Sequence, residues 1–396
     1  MSSPFESESP MTYPHPEINR RDCLMTMLAA SVAMPCATTW AEPSGTDDIP
    51  QLENLLNVTI HAPDDQHDYS HDPALEWYRG RFYAAWQGGP ENREGGRGQS
   101  IQHAASADFK QWTAPTSLIE PASDQTLFAA VLWNHDDRLH LFYLENQNDP
   151  NKKHDAYILT GSLCLMTFDG RAWSDSRVIL PPQKVGNRAV ASSTTSKPIV
   201  LDSGRIVLPV QYLDDKHRVG EVGALLSDDN GKSWRMSERV PSDQRKLMEP
   251  TVVQAPDGRL VMYLRNHFDM PTVWRTISED GGQTWSKAKP SEHRNWAKTH
   301  VRRLNDGRYI MMFNDNPKPP GGGPINKRRN LAIAISNDAM NFHTLGHIDT
   351  ESNGFGISYP ACVERNGVIY SIASRRSSPK TRRPNMVRGQ VSRIIG

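Results

Sequence analysis

Six times along the 396-residue chain, a short strand-forming run is followed by a Gly- or Asp-containing turn and a second apolar run. The copies are HDPALEWYRGRFYAAW from His71, TLFAAVLWNHDDRLHLFYLE from Thr126, SKPIVLDSGRIVLPVQY from Ser196, MEPTVVQAPDGRLVMYLRN from Met248, KTHVRRLNDGRYIMMFND from Lys298 and SYPACVERNGVIYSIAS from Ser358. Such runs joined by Gly-containing loops read as antiparallel hairpins. Their spacing, roughly fifty to seventy residues, is the period of propellers and solenoids. Long helical patterns are nearly absent. The repeat therefore predicts an all-β fold of stacked hairpin units. NLLNVTIHAP near the start and NMVRGQVSRIIG at the end read as strands that could share one unit and close a ring. Closure would remove exposed sheet edges.

A second signature follows several hairpins. Ser227, Asp229, Gly231 and Trp234 fit S-x-D-x-G-x-x-W, and Ser278, Asp280, Gly282 and Trp285 repeat it 51 residues later. Weaker copies are SADFKQW from Ser106, TFDGRAW from Thr167 and SNDAMNF from Ser336. The chemistry of this spacing is structural: Asp accepts backbone N–H groups within a tight turn, Gly supplies positive φ, and Trp packs under the hairpin. No catalytic role is assigned to these residues.

Charge is balanced at 45 Lys and Arg against 45 Asp and Glu, which argues against nucleic acid or an anionic membrane as the main partner. No segment after the N-terminus has the apolar length of a spanning helix, so no stable membrane insertion is expected. Residues 1–41 read as an export signal: paired Arg20 and Arg21 precede an apolar stretch, and the small Ala41 stands before EPSG. The pattern resembles a twin-arginine signal, with Cys23 departing from it. The mature chain is expected to be periplasmic or extracellular, with a polar lead-in over 42–56 and the repeats over 57–396. Cys164 and Cys362 sit in apolar runs and read as buried free thiols. His67 and His71 lie four apart, a spacing that converges on one face only in a helix, and this segment leads into a strand. No metal site is expected there. Nor is an organic cofactor, because the GGRG and GGGP clusters are loops rather than phosphate-binding turns between strand and helix.

The fourth hairpin carries an acid at its start and a base at its end. A turn centred near Asp257 sets Glu249 opposite Arg265, and directly opposed side chains stand roughly 4.5–5.5 Å apart at Cβ. The residues alone allow two readings: a cross-strand ion pair that closes the hairpin, or part of a site.

Hairpin repeat and Asp-turn together resemble the sialidase (neuraminidase) superfamily with its BNR or Asp-box repeats, over roughly residues 57–396. The resemblance implies a six-bladed β-propeller of four-stranded antiparallel blades, with the ligand on the axis opposite the Asp-box turns. It implies that Glu249 is the base activating a Tyr nucleophile, matched here by Tyr359, and that Arg265 belongs to a clamp on a sugar carboxylate. Arg328 matches the next clamp Arg, with Arg329 as the alternative. A Tyr nucleophile suits a substrate whose own carboxylate would repel an acidic one.

Three departures stand out. His71 occupies the place of the first clamp Arg and would be a weaker, pH-dependent cation. The acid Asp is not visible in its usual loop, leaving Asp72 or Glu94 for that role. Lys197 and His300 would also face the axis, giving a cation-rich centre that implies an anionic ligand. Trp86 and Trp296 are candidates to stack on sugar faces, although propeller tryptophans are more often core. The expected function is an exported, retaining glycoside hydrolase acting on a terminal acidic sugar, with an acidic glycan as substrate. A uronic-acid lyase and a non-catalytic glycan-binding propeller are the alternatives.

Overall fold

The computed structural model describes residues 50–148, 161–213, 220–243, 246–266, 272–315, 328–349 and 356–396. The twin-arginine segment and the GGGP cluster lie outside them. The described residues form six antiparallel sheets arranged as the blades of a β-propeller. Blade one runs from Tyr69 to Ile119, blade two from Gln125 to Leu180, blade three from Gln183 to Met236, blade four from Leu247 to Arg294 and blade five from His300 to Asp349. Blade six combines Ile357–Arg365, Val368–Arg375 and Met386–Ile395 with the first strand of the chain, Gln51–His61. That first strand pairs with the last from Gln51 opposite Ile395 to His61 opposite Val387, so the two ends of the repeat close the ring. It begins inside the segment read from sequence as lead-in.

Five sheets have four strands. The sheet of blade three has six, because its inner strand is split into Arg188–Ser193 and Ile199–Val200 and a short strand, Gln183–Val185, pairs with the first half of that inner strand. The split falls at Thr194–Pro198, where the Thr194 hydroxyl bonds the Ser196 carbonyl at 3.0 Å.

The core is a ring of apolar clusters, each shared by two neighbouring blades. Leu75, Phe82 and Trp86 of blade one meet Val363 and Ile372 of blade six. Val207 and Val222 of blade three meet Val252 and Met262 of blade four. Every side chain of this kind taken from water contributes roughly 1.5–3 kcal/mol, so each blade is stable mainly through its neighbours. Trp86 is fully buried here, its ring centroid 5.7 Å from that of His61, and is therefore core rather than a sugar platform. Cys164 and Cys362 are buried free thiols.

The Asp-turns sit where the third strand of a blade ends. Asp229 accepts the Ser233 N–H at 2.9 Å, and Asp280 accepts the N–H groups of Gln283 and Thr284 at 3.0 Å. Ser227 and Ser278 take the N–H groups of Gly231 and Gly282, each at 2.8 Å. Both glycines have positive φ, 78° and 89°. Trp285 is buried beneath its turn, and Trp234 packs partly buried between blades two and three. In the weaker copies the acid acts in the same way, since Asp108, Asp169 and Asp338 each accept two backbone N–H groups.

Candidate active site

The inner strands share one irregularity, and it builds the site. In blades one, two, four and six the pairing of the first two strands slips at the same place: between His71 and Ala74, Phe128 and Val131, Met248 and Thr251, and Ser358 and Ala361. Each slip contains one non-glycine residue in the left-handed region: Asp72 (φ 49°), Ala129 (54°), Glu249 (51°) and Tyr359 (61°). Positive φ is uncommon for such residues, and held conformations of this sort cluster at functional sites. A residue so placed turns its side chain out of the strand's alternation, toward the axis. Three of the four bulge residues are the sequence candidates Asp72, Glu249 and Tyr359, each followed by Pro.

The bulges are pinned from the preceding blade. Gln211, on the second strand of blade three, accepts the Glu249 N–H at 2.7 Å, and Gln87, on the second strand of blade one, accepts that of Ala129 at 2.9 Å. Ser374 of blade six takes the Asp72 N–H at 3.0 Å, while Asn314 of blade five donates to the Ile357 carbonyl at 2.7 Å. Polar side chains at the ends of second strands thus hold the strained backbone of the next blade.

At the centre, Arg265 Nη1 donates to Glu249 Oε1 at 2.7 Å and to the Tyr359 hydroxyl at 2.8 Å. The Tyr359 hydroxyl donates to the same Glu249 oxygen at 2.5 Å. All three side chains are at least nine-tenths buried. Glu249 and Arg265 therefore meet as the hairpin suggested, although the bulge sets Met248, not Glu249, directly across from Arg265. Burial pushes the Tyr359 phenol well above its usual range, Arg265 pulls against that, and Glu249 pushes it further up. The phenol is held protonated. Burial also raises the Glu249 carboxyl, but Arg265, the Tyr359 hydrogen bond and Arg328 outweigh it and hold the group ionised below its ordinary value. An ionised carboxylate hydrogen-bonded to a protonated phenol can accept its proton.

Around this triad the cavity is lined by His71, Asp72, Glu94, Arg328 and Arg383, with Phe128, Leu144 and Met248 as an apolar wall. The Arg328 guanidinium lies over the Tyr359 ring, 5.2 Å from its centroid, and among the described residues no carboxylate pairs with it. Arg329 does not line the cavity; its carbonyl accepts from Asn314 at 3.2 Å. Of the two arginines, only Arg328 joins the group.

Three expectations need correction. His71 does not serve as a cation: burial, then Arg328, Lys298, Arg383 and Arg265 around it, hold its imidazole well below the usual range, and its Nδ1 is 2.8 Å from the Ser374 hydroxyl. Lys197 and His300 face the axis but in a separate cavity toward the Asp-turn end, together with Glu76, Arg302 and Arg303. Lys197 donates there to Glu76 at 2.7 Å and to the Leu75 carbonyl at 2.6 Å. Trp296 lies outside the cavity of the triad.

Sequence reasoning missed Lys298 and Arg383. Lys298 Nζ donates to Asp72 Oδ1 at 2.5 Å and to the Thr195 carbonyl at 3.1 Å, with both charged side chains buried. Burial raises the Asp72 carboxyl to about 6 even though Lys298 draws it down. Arg383 comes from the loop between the last two strands and lies 3.8 Å from Glu94 Oε2. Lys298 was legible as the residue two before His300 at the start of the fifth hairpin, whereas Arg383 had no signal beyond a basic pair in a loop. The cation-rich centre is thus three acid–base pairs, Glu249–Arg265, Asp72–Lys298 and Glu94–Arg383, with Arg328 in addition.

Comparison with known proteins agrees with this architecture. A sialidase of Bacteroides fragilis (strain YCH46) is 23% identical over 266 residues, 64% of this chain and 46% of that protein. The anhydrosialidase of Macrobdella decora is 29% identical over 217 residues, 51% of this chain and 26% of its own. The chain thus matches less than half the length of either curated relative. Among solved structures, a protein of unknown function from Dyadobacter fermentans DSM 18053 superposes with a TM-score of 0.70 at 17% identity, covering 88% of this chain and 100% of that one. Trypanosoma rangeli sialidase in complex with sialic acid superposes with a TM-score of 0.62 at 16% identity, over 83% of this chain and 55% of that one. At these identities the superpositions speak for the fold. The BNR repeat-like domain matches residues 80–371, most of the propeller, and the chain belongs to that family.

Proposed function

We propose that the protein is a sialidase-like glycoside hydrolase that removes a terminal acidic sugar, sialic acid or a close relative, with retention of configuration. The observation that carries this reading is the buried triad: a Tyr359 hydroxyl 2.5 Å from Glu249 and 2.8 Å from Arg265, on the propeller axis. A phenol with no base beside it is a poor nucleophile at neutral pH. Glu249 takes its proton as the Tyr359 oxygen bonds to the anomeric carbon, and Arg265 stabilises the developing phenolate charge. The leaving oxygen needs a proton at the same moment, and we assign its delivery to Glu94. Glu94 stands at the cavity wall with its side chain 22% exposed, within 3.5 Å of Gln87. Asp72, the other candidate, also lines the cavity but is more deeply buried, with its Oδ1 held by Lys298 Nζ at 2.5 Å. In the second half-reaction Glu94 takes a proton from water, the water oxygen displaces Tyr359 from the sugar, and the phenol recovers its proton from Glu249.

Arg328, over the Tyr359 ring, supplies positive charge for the sugar's carboxylate. Export by the N-terminal signal is part of the same reading, since sialylated glycans occur outside the cytoplasm. Sialidases among the relatives of the chain support the substrate class. The test is hydrolysis of a fluorogenic α-sialoside by the mature chain beside Tyr359→Phe prepared identically. Release by the wild type that falls by about a thousandfold or more in the variant supports the reading. Equal release from both refutes Tyr359 as nucleophile, and release from neither refutes the substrate class.

A further inference from the structure

An anionic group entering the triad's cavity needs a cation that no buried carboxylate already satisfies. Arg265 is held by Glu249 at 2.7 Å, and Lys298 by Asp72 at 2.5 Å. His71 Nδ1 and the Ser374 hydroxyl share a hydrogen bond at 2.8 Å. Two guanidiniums remain on the cavity wall, Arg328 and Arg383. The contact between Arg383 and Glu94 is 3.8 Å, beyond hydrogen-bond range, with the arginine side chain 38% exposed. Such a pair is worth little and exchanges readily for a better partner.

The Arg383 backbone, by contrast, is fixed. Its N–H donates to Asn92 Oδ1 at 2.8 Å, and its carbonyl accepts from Asn92 Nδ2 at 3.3 Å. Asn92 Nδ2 also donates to the Asp68 carbonyl at 2.5 Å. The Ser70 N–H donates to the Pro384 carbonyl at 3.1 Å, and Asn385 donates to Asp68 Oδ1 at 2.9 Å. Three loops, before blade one's inner strand, after its second strand, and before the last strand of the chain, are thereby tied into one wall that carries the guanidinium. A fixed backbone with a loosely held, planar, always-charged head describes a ligand-reading arginine better than a solvated one.

We propose that Arg383 binds the carboxylate of the substrate together with Arg328, and so sets the site's preference for acidic sugars. This rests on the reading of the cavity as a sialidase-like site. Arg383 approaches from blade six's outer loop, so the acidic group is gripped between a blade-five and a blade-six arginine, with Glu94 released as the substrate takes its place on Arg383.

The test is calorimetric binding of free sialic acid and of its neutral methyl ester to the wild type, Arg383→Ala and Arg383→Lys. The wild type should prefer the acid; Arg383→Ala should lose roughly 10- to 100-fold in acid affinity with ester affinity unchanged, the loss expected for one charge-assisted contact. Arg383→Lys, which keeps the charge but not the fork, should fall between. An alanine variant that binds the acid as the wild type does, still discriminating against the ester, overturns the role of Arg383 and leaves the sialidase reading standing. A wild type that binds neither ligand overturns both.

Discussion

Replacing Lys298 by Met keeps the length of the side chain and removes the counter-ion of Asp72, and the cost should depend on pH. Asp72 and Lys298 are 4% and 3% exposed, and breaking a buried pair by removing one partner typically costs about 3–5 kcal/mol. The carboxyl has an escape. Its pKa in the folded protein is already raised to about 6, burial being the largest cause, with Glu249 and Glu94 pushing the same way. In the unfolded chain it returns to about 4. A raised carboxyl costs stability on the alkaline side: the penalty is absent below about pH 4 and complete above about pH 6. Without Lys298 the folded carboxyl keeps its proton further into the alkaline range. Between about pH 6 and pH 8 the variant's native state then holds one proton more than that of the wild type, and its relative stability falls by about 1.36 kcal/mol per pH unit. The destabilisation should therefore be larger by roughly 3 kcal/mol at about pH 8 than at about pH 5–6. Urea unfolding of both proteins at the two pH values measures it directly. A pH-independent difference would refute the argument, because it would mean that Asp72 does not titrate against Lys298.

Other consequences follow from the same geometry. Glu94→Gln should slow hydrolysis of a sialoside with a poor leaving group by about a hundredfold or more and barely affect one with an activated aryl leaving group, since only the former needs a proton; equal losses would move the acid role elsewhere. Glu249→Gln leaves the Arg265 guanidinium buried without its counter-charge, so it should lower stability by about 3–5 kcal/mol as well as abolish turnover, read by denaturant unfolding and rate together. Asp280→Ala removes the acceptor for two backbone N–H groups of its turn. It should lower the thermal midpoint by about 2–6 °C with kcat unchanged, because that turn lies at the end of the blade away from the triad.

The architecture was legible because each blade repeats its instructions locally: an apolar hairpin, then an Asp that ties down the next turn. Even the pairing of the first strand with the last could be read, since a strand-like run stands at each end of the hairpin repeat, and Gln51–His61 does pair with Met386–Ile395. The meeting of Glu249, Arg265 and Tyr359 in one cavity was legible because these residues lie on inner and second strands. What escaped depends on tertiary placement. The bulges at Asp72, Glu249 and Tyr359 leave only an X-Pro trace, and a residue before Pro is ordinarily extended rather than left-handed. His71 looked like a cation because its charge is decided by burial and by four neighbours brought together only by the ring. Lys197 and His300 do face the axis, but they line a second cavity, and hydrophobic periodicity does not fix a residue's position along that axis. Arg383 reaches the cavity from a loop whose place is set by Asn92, nearly three hundred residues earlier in the chain.

The central claim is that Tyr359 bonds to the sugar. Incubating the mature chain with a 2,3-difluorinated sialic acid, whose fluorines slow release of a glycosyl-enzyme, and then weighing the intact protein and its peptides would test it most directly. The account predicts one sugar adduct, carried by the peptide that contains Tyr359 and absent from Tyr359→Phe. An adduct on another residue, or turnover of α-sialosides with no adduct at any time, would contradict it.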